Sequence, residues 1–138
     1  MELLFAWIHQ YHNFINKQGI NLHPKYHFAV TEDNSAGSSV YTLTCQLTNA
    51  VQLKYADTCI QSITAIVGKN GSGKTSLLQA LQENSLLPQN VDQTNDAKHH
   101  QEPWFEKQKR LLVYLCDNDD IVIYHNYNDN AYIIIYNM

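Results

Sequence analysis

The chain has 138 residues, of which 44% are hydrophobic and 16% charged, and a formal net charge of −4 with histidines neutral. That length is one ordinary domain with a modest core, and its nine Lys and Arg are scattered, which leaves no basic stripe for nucleic acid. The three cysteines, Cys45, Cys59 and Cys116, are odd in number and far apart with no C-x-x-C pair, which excludes a disulfide framework or a zinc knuckle.

Residues 3–9 open the chain as a buried strand of bulky apolar side chains. They lack a basic n-region and a cleavage-site pattern, so no signal peptide is read there; no stretch approaches the length of a membrane span, and a cytoplasmic protein is expected. Tyr11-His12-Asn13-Phe14 leads to turn signals around Gly19. Residues 20–22 and 26–30 then alternate well enough to pair as strands. His23 and His27 have a spacing that could chelate a metal on a helix, but Pro24 and the β-rich neighbours argue against that helix. Neither this pair nor His9/His12 nor His99/His100 is assigned a metal.

Residues 31–39 form a polar loop, and residues 40–47 alternate as a strand with Tyr41, Leu43, Cys45 and Leu47 on one face, where Cys45 acts as a small core hydrophobe. Residues 49–61 carry no assignable pattern. Residues 62–67, Ser-Ile-Thr-Ala-Ile-Val, read as a short buried strand that ends at a glycine-rich loop, and Leu77, Leu78 and Leu81 follow at helical spacing. Residues 83–103, rich in Asn, Gln, Asp and His, read as an exposed connection. The cluster Lys107-Gln108-Lys109-Arg110 is a solvated approach to the next strand.

Residues 110–116 and 121–125 flank Asp117-Asn118-Asp119-Asp120, a hairpin signal with a four-residue loop. An acidic group after an apolar strand could mark a Walker B carboxylate. Turn chemistry accounts for these Asp and Asn equally, and a hairpin rather than a helix follows, so the turn is favoured. Residues 126–130 make another turn, and residues 131–136 complete a third strand of an antiparallel set.

The stretch Gly68-Lys69-Asn70-Gly71-Ser72-Gly73-Lys74-Thr75 fits the phosphate-cradling pattern G-x-x-x-x-G-K-[ST] at every fixed position. Glycines let the backbone curl so that successive N–H groups face one anion, and the following helix adds its partial positive end. Lys74 would reach the β- and γ-phosphates, and Thr75 would place its hydroxyl on Mg2+. At average residue usage the pattern arises by chance in roughly one chain of this length in a few hundred. Strand, glycine loop and helix also stand in the required order, and three of the chain's five glycines lie within the pattern. The nucleotide-binding set is Gly68, Lys69, Asn70, Gly71, Ser72, Gly73, Lys74, Thr75 and Ser76, with Thr75 as the metal-facing residue.

With the opening strand, the Tyr11–Phe14 segment, the strand material up to Val30 and the run from Ile63 through Asn70-Gly71-Ser72-Gly73-Lys74 to Leu78, the chain resembles the amino-terminal part of ABC-type ATPase heads. That group contains SMC, RecF and OLD-type proteins and AAA-family ATPases of bacterial anti-phage defence. The resemblance covers roughly the first 85 residues. It implies an α/β, β-rich fold: an incomplete ABC-type P-loop head with an antiparallel β lobe and a single clear P-loop helix. Within 1–138 it divides into a β-rich lobe at 1–62, the P-loop strand, loop and helix at 63–83, a polar insertion at 84–103 and an antiparallel hairpin region at 104–138.

The resemblance also implies ATP and Mg2+ as cofactors, a homodimer that sandwiches ATP, a nuclease or effector partner, and His12 and Asn13 near the adenine, although the basic residue usual there is missing. No Walker B glutamate, signature motif or switch histidine is found, and complete heads are well over twice this length, so the chain reads as an amino-terminal piece. The apolar strand at its end has no covering element, and an unpaired edge of that kind invites aggregation. ATP binding is therefore expected, and hydrolysis requires elements outside the chain. The alternatives are a truncated or degenerate product acting as a β-rich interaction module, and a small P-loop kinase; the latter would need an arginine-rich lid and a second carboxylate that the sequence lacks.

Overall fold

The computed structural model describes residues 1–35, 37–51, 60, 62–85, 109–125, 127 and 133–137. Its elements are β1 (Glu2–Tyr11), β2 (Ile15–Asn21), β3 (Tyr26–Asp33), β4 (Val40–Leu47), α1 (Lys74–Ser85), β5 (Arg110–Leu115), β6 (Ile121–His125) and β7 (Ile133–Asn137). Four strands form one sheet in the order β2-β1-β5-β6, and three form another in the order β3-β4-β7. The first sheet is antiparallel throughout. In the second, β3 and β4 are antiparallel while β4 and β7 are parallel. The fold is thus β-rich, with one antiparallel and one mixed sheet and one short helix among the described residues.

The apolar run at the start of the chain becomes the central strand because it can be covered on both faces. Leu4, Phe5, Ala6, Trp7 and Ile8 are all buried, and β1 is paired on one side by β2 and on the other by β5. Continuous rather than alternating hydrophobicity is what a strand covered on both faces requires. One face packs on the second sheet: Phe5, Trp7, Leu111 and Val113 meet Phe28, Tyr41, Leu43 and Cys45 in a single cluster. Trp7 Nε1 donates a hydrogen bond to the Tyr127 hydroxyl at 2.8 Å in this core, so both polar atoms are satisfied where water cannot reach them. The other face receives α1, with Ala80 against Ile8, Tyr11 and Ile15, and Leu81 against Ala6, Leu112 and Tyr114.

A change of register between Leu3 and Phe5 inserts one extra residue opposite β5. Such a bulge resets which residues face which side. Leu4 and Phe5 consequently both enter the core between the sheets, while Leu3 joins the helix side. Strands β2 and β3 lie in different sheets and are joined by Asn21, whose side-chain amide donates to Phe28 O at 2.9 Å and accepts from Phe28 N at 2.7 Å.

Several expectations are met. The strand at 40–47 has the predicted bounds, with Tyr41, Leu43 and Cys45 buried, although Leu47 is exposed at the strand end. The hairpin of β5 and β6 closes through Cys116 N to Asp120 O at 2.8 Å, with Asp119 in the left-handed region at φ 64°. Cys45 is a buried free thiol. His23, for which no burial is read from the sequence, is also buried, and its Nδ1 accepts from Lys25 N at 3.1 Å.

Four expectations are corrected. Gly19 is not a turn residue: it sits within β2 opposite Trp7, where a Cβ would lie 2.9 Å from two ring atoms of Phe5, and the turn falls instead at 12–14. Residues 20–22 and 26–30 do not pair with each other; β2 pairs with β1, and β3 with β4. Residues 62–67 are not a buried strand. Ile63 is 64% and Val67 88% exposed, because no described strand lies alongside to take their backbone hydrogen bonds or cover their side chains. The last strand does not extend the hairpin; β7 leaves that sheet and pairs in parallel with β4, so one of its edges is covered. Most of residues 49–61, 83–103 and 126–130 lies outside the described residues. No described helix is long and apolar enough to cross a membrane.

At the edge where the two sheets meet, Lys17 is ion-paired with Glu32, and the Tyr41 hydroxyl donates to Glu32 at 3.0 Å. His9 lies beside Tyr41, with ring centroids 6.2 Å apart, and its buried Nδ1 has no hydrogen-bond partner among the described residues. Burial holds the His9 imidazole below its ordinary pKa of 6.5, aided by the positive charges of Lys17 and Lys109.

Two outcomes follow from this packing. With the folded-state pKa of His9 lowered, the unfolded chain binds the extra proton first. Its contribution to stability is present above pH 6.5 and is lost as pH falls from there toward the lowered value. Denaturation midpoints measured across that window should fall with pH, and less steeply in His9→Gln. Gly19→Ala should push the buried Phe5 ring and cost about 1–3 kcal/mol, read as a lower urea midpoint with an unchanged slope; a gain in stability would refute the close approach.

Candidate functional site

Helix α1 begins at Lys74, directly after the glycine loop, and its docking on the first sheet fixes where the loop stands. Ala80 is fully buried against β1 and the start of β2. Its methyl group allows a close approach that a longer side chain would prevent. Leu77 packs on the same cluster and Leu81 on its neighbour, whereas Leu78 is 55% exposed; of the leucines at helical spacing, two reach the core. The loop is thus carried by the helix beside β2.

The loop backbone takes the shape its glycines permit. Gly71 and Gly73 have φ of 80° and 87°, in the left-handed region where a Cβ is strained. Gly68 serves differently: a Cβ there would stand 2.6 Å from Ser72 Oγ. Ser72 N donates to Lys69 O at 3.1 Å, and Leu77 N makes the first helical bond to Gly73 O at 2.9 Å. Among the described residues, no backbone carbonyl takes the N–H groups of Gly71, Gly73, Lys74, Thr75 or Ser76. A helix start with open N–H groups carries partial positive charge, and the first turn of α1 contains no acidic residue to offset it.

Lys74 folds back over the loop, and its Nζ donates to Gly68 O at 2.5 Å and to Lys69 O at 2.7 Å. An ammonium has three N–H donors, so one remains for an anion lying over the loop. This clasp ties the first residues of the loop to the first residue of the helix. The expected residues Gly68, Lys69, Asn70, Gly71, Ser72, Gly73, Lys74, Thr75 and Ser76 are therefore contiguous in space as well as in sequence.

Two clefts adjoin the loop. One, of about 480 Å³, is walled by Phe14, Asn70, Gly71, Gly73, Lys74, Thr75 and Ser76. The other, of about 450 Å³, lies between the loop and β2 and is lined by the apolar side chains of Phe14, Ile15, Ile20, Ile66, Val67 and Leu77, together with Gln18. The polar cleft suits an anion. Thr75 offers it a hydroxyl, and a Mg2+ there would take its remaining ligands from phosphate and water, as this ion commonly does. Among the described residues no group of three or more His, Cys, Asp or Glu could hold a metal ion.

The acidic loop at 117–120 is elsewhere. Leu115 pairs with Glu2 at the start of β1, the end opposite Phe14. Asp117 binds the terminal ammonium at 2.9 Å, and Asn118 bonds Asp120. Neither His12 nor Asn13 is among the residues lining these two clefts; the His12 ring stands edge-on to Tyr11, with centroids 4.4 Å apart. Phe14, from the same segment, lines both clefts. It was missed because a single aromatic in a turn carries no periodic signal.

No family model, curated protein or solved structure matches this chain.

Ala80→Leu tests the docking. Overpacking should lower stability by about 1–3 kcal/mol and lift the helix start away from β2. Quenching of a fluorophore placed at position 72 should change in step; an unaltered signal in a folded variant would show that the loop is positioned independently of Ala80.

Proposed function

We propose that this chain binds a nucleoside triphosphate, ATP with Mg2+, through the loop at Gly68–Ser76. The observation that carries the reading is the joint geometry of the loop: two glycines at left-handed φ, open N–H groups at the helix start, and Lys74 clasped to Gly68 and Lys69 with a donor to spare. These are the parts that hold β- and γ-phosphates in phosphate-binding loops. Thr75 is proposed as the protein ligand of Mg2+.

The resemblance to ABC-type ATPase heads supplies the wider proposal: the chain acts as the amino-terminal portion of such a head, in the cytoplasm, as a homodimer serving an effector such as a nuclease in anti-phage defence. Binding is proposed rather than turnover. Phosphoryl transfer to water depends on a group that positions the nucleophile, and among the described residues no carboxylate lines the polar cleft. A β-rich interaction module is the alternative, favoured if the folded chain ignores ATP.

Titration calorimetry with Mg-ATP on the whole chain tests the proposal. Charge-assisted hydrogen bonds contribute about 1.5–3 kcal/mol, so Lys74→Ala should weaken binding by roughly ten- to hundredfold. Undiminished affinity in a variant with native circular dichroism would sink it.

A further inference from the structure

The two edges of the first sheet are built differently. Its order is β2-β1-β5-β6, so among the described residues no strand lies beyond β2 or β6. Strand β2 is blunted: Lys17 stands in it at a left-handed φ of 51°, and its other exposed residues are polar or glycine. Strand β6 carries none of the devices that usually protect an edge. It reads Ile-Val-Ile-Tyr-His, with no Lys, Arg, Asp, Glu or Pro, pairs with β5 in unbroken register, and leaves Ile121 44% exposed.

The hairpin fixes which backbone groups this edge offers. Cys116 N donates to Asp120 O, so those two residues form a hydrogen-bonded pair. Alternation along the register then turns the backbone groups of Val122 and Tyr124 toward β5 and those of Ile121, Ile123 and His125 outward. The outward set is symmetric about Ile123. A second copy laid antiparallel, with Ile123 opposite Ile123 and Ile121 opposite His125, satisfies these outward groups about a two-fold axis. Charge suits the same arrangement. The hairpin is acidic at its tip, where Asp119 and Asp120 are exposed and neither is ion-paired among the described residues. It is basic at its base, where Lys109 is exposed with Nζ 6.0 Å from the centre of the Tyr127 ring. Antiparallel pairing lays the tip of each copy beside the base of the other.

We infer that the chain forms a two-fold dimer through the free edge of β6, with a second copy of itself as the partner and no nucleotide required. The glycine loop stands beside β2, at the opposite edge of the sheet, so this dimer leaves the loop open and differs from one that sandwiches ATP. Each copy spends its β6 edge once, and the assembly therefore closes at two. Pairing of so short a strand buries little surface, which makes the association weak, with a dissociation constant on the order of 100 μM.

Sedimentation equilibrium of the full chain without nucleotide, at up to about 1 mM protein, should show monomer and dimer only. Residue-resolved amide exchange by NMR on the wild type reads the geometry. Protection at Ile121, Ile123 and His125 should rise with protein concentration, while Val122 and Tyr124, already facing β5, should not respond. Ile121→Lys, a charge at an exposed edge position, should weaken the dimer by roughly tenfold. Asp120→Lys should do so by about the same factor, because each exposed charge contact occurs twice about the axis, and adding Lys109→Glu should recover most of the loss. Circular dichroism checks that each variant keeps the fold. A monomer throughout, polymers beyond the dimer, or a dimer whose three outward amides ignore concentration overturns the inference. So does a folded Ile121→Lys that dimerises as the wild type does, or a double charge variant that recovers nothing. Mg-ATP binding enters none of these readouts, so failure here and failure of the nucleotide reading are told apart.

Discussion

Everything in this fold depends on β1 being covered on both faces at once. A strand whose successive side chains are Leu4, Phe5, Ala6, Trp7 and Ile8, all buried, must be flanked by strands and sandwiched between layers. Complete burial of a large apolar side chain contributes about 1.5–3 kcal/mol, so exposing either face would remove several such contributions. The β3-β4-β7 sheet supplies one cover and α1 the other. The bulge at Leu4 apportions residues between them and puts two consecutive large side chains into the core between the sheets.

That requirement places the loop. The helix must lie on the first sheet because Ala6, Ile8, Leu112 and Tyr114 need covering there. The small Ala80 lets it lie close, and the helix start then falls beside β2. Gly19 belongs to the same arrangement from the opposite face. The Phe5 ring occupies the space its side chain would take, so an edge strand with exposed residues along most of its length still lies in close contact with the core at this point. The next residue, Ile20, turns toward the helix and lines the apolar cleft. One strand thus meets the core ring of Phe5 at one residue and walls the candidate site with its neighbour, as the alternation of side chains along a strand dictates.

The elements legible in the sequence were those whose pattern follows from their own cover. Buried β1, alternating β4 and the β5–β6 hairpin with its Asp- and Asn-rich turn declare themselves locally. Three features did not, each for a non-local reason. Gly19 looks like punctuation because glycine usually marks turns, yet here it answers to a ring on a neighbouring strand. The last strand was expected to extend the hairpin before it, but apolar residues 133–135 cannot indicate whether β6 or β4 will pair with them. Residues 62–67 have the letters of a buried strand, and only the absence of neighbouring strands among the described residues reveals that Ile63 and Val67 are exposed. At the site, the spacing of Gly71, Gly73 and Lys74 was fully legible because backbone conformation dictates it. Phe14, Gln18 and Ile20 were not, because they converge on the loop through the pairing of β2 with β1 and the docking of α1.

The segment before the loop has a consequence for how the site is held. In a sheet-borne loop the preceding strand and the following helix both anchor the glycines. Here residues 62–69 form no regular element, and among the described residues their ties include Thr64 Oγ1 donating to Leu22 O at 2.8 Å and the Lys74 clasp on Gly68 and Lys69. The same lysine proposed to meet phosphate is therefore also a structural tie across the loop. Its two bonds to loop carbonyls are compatible with phosphate binding, since they leave a third donor free. The position of the loop follows from the helix, and through Ala80 from β1, so the strand that organises both cores also places the start of the helix against which an anion would rest.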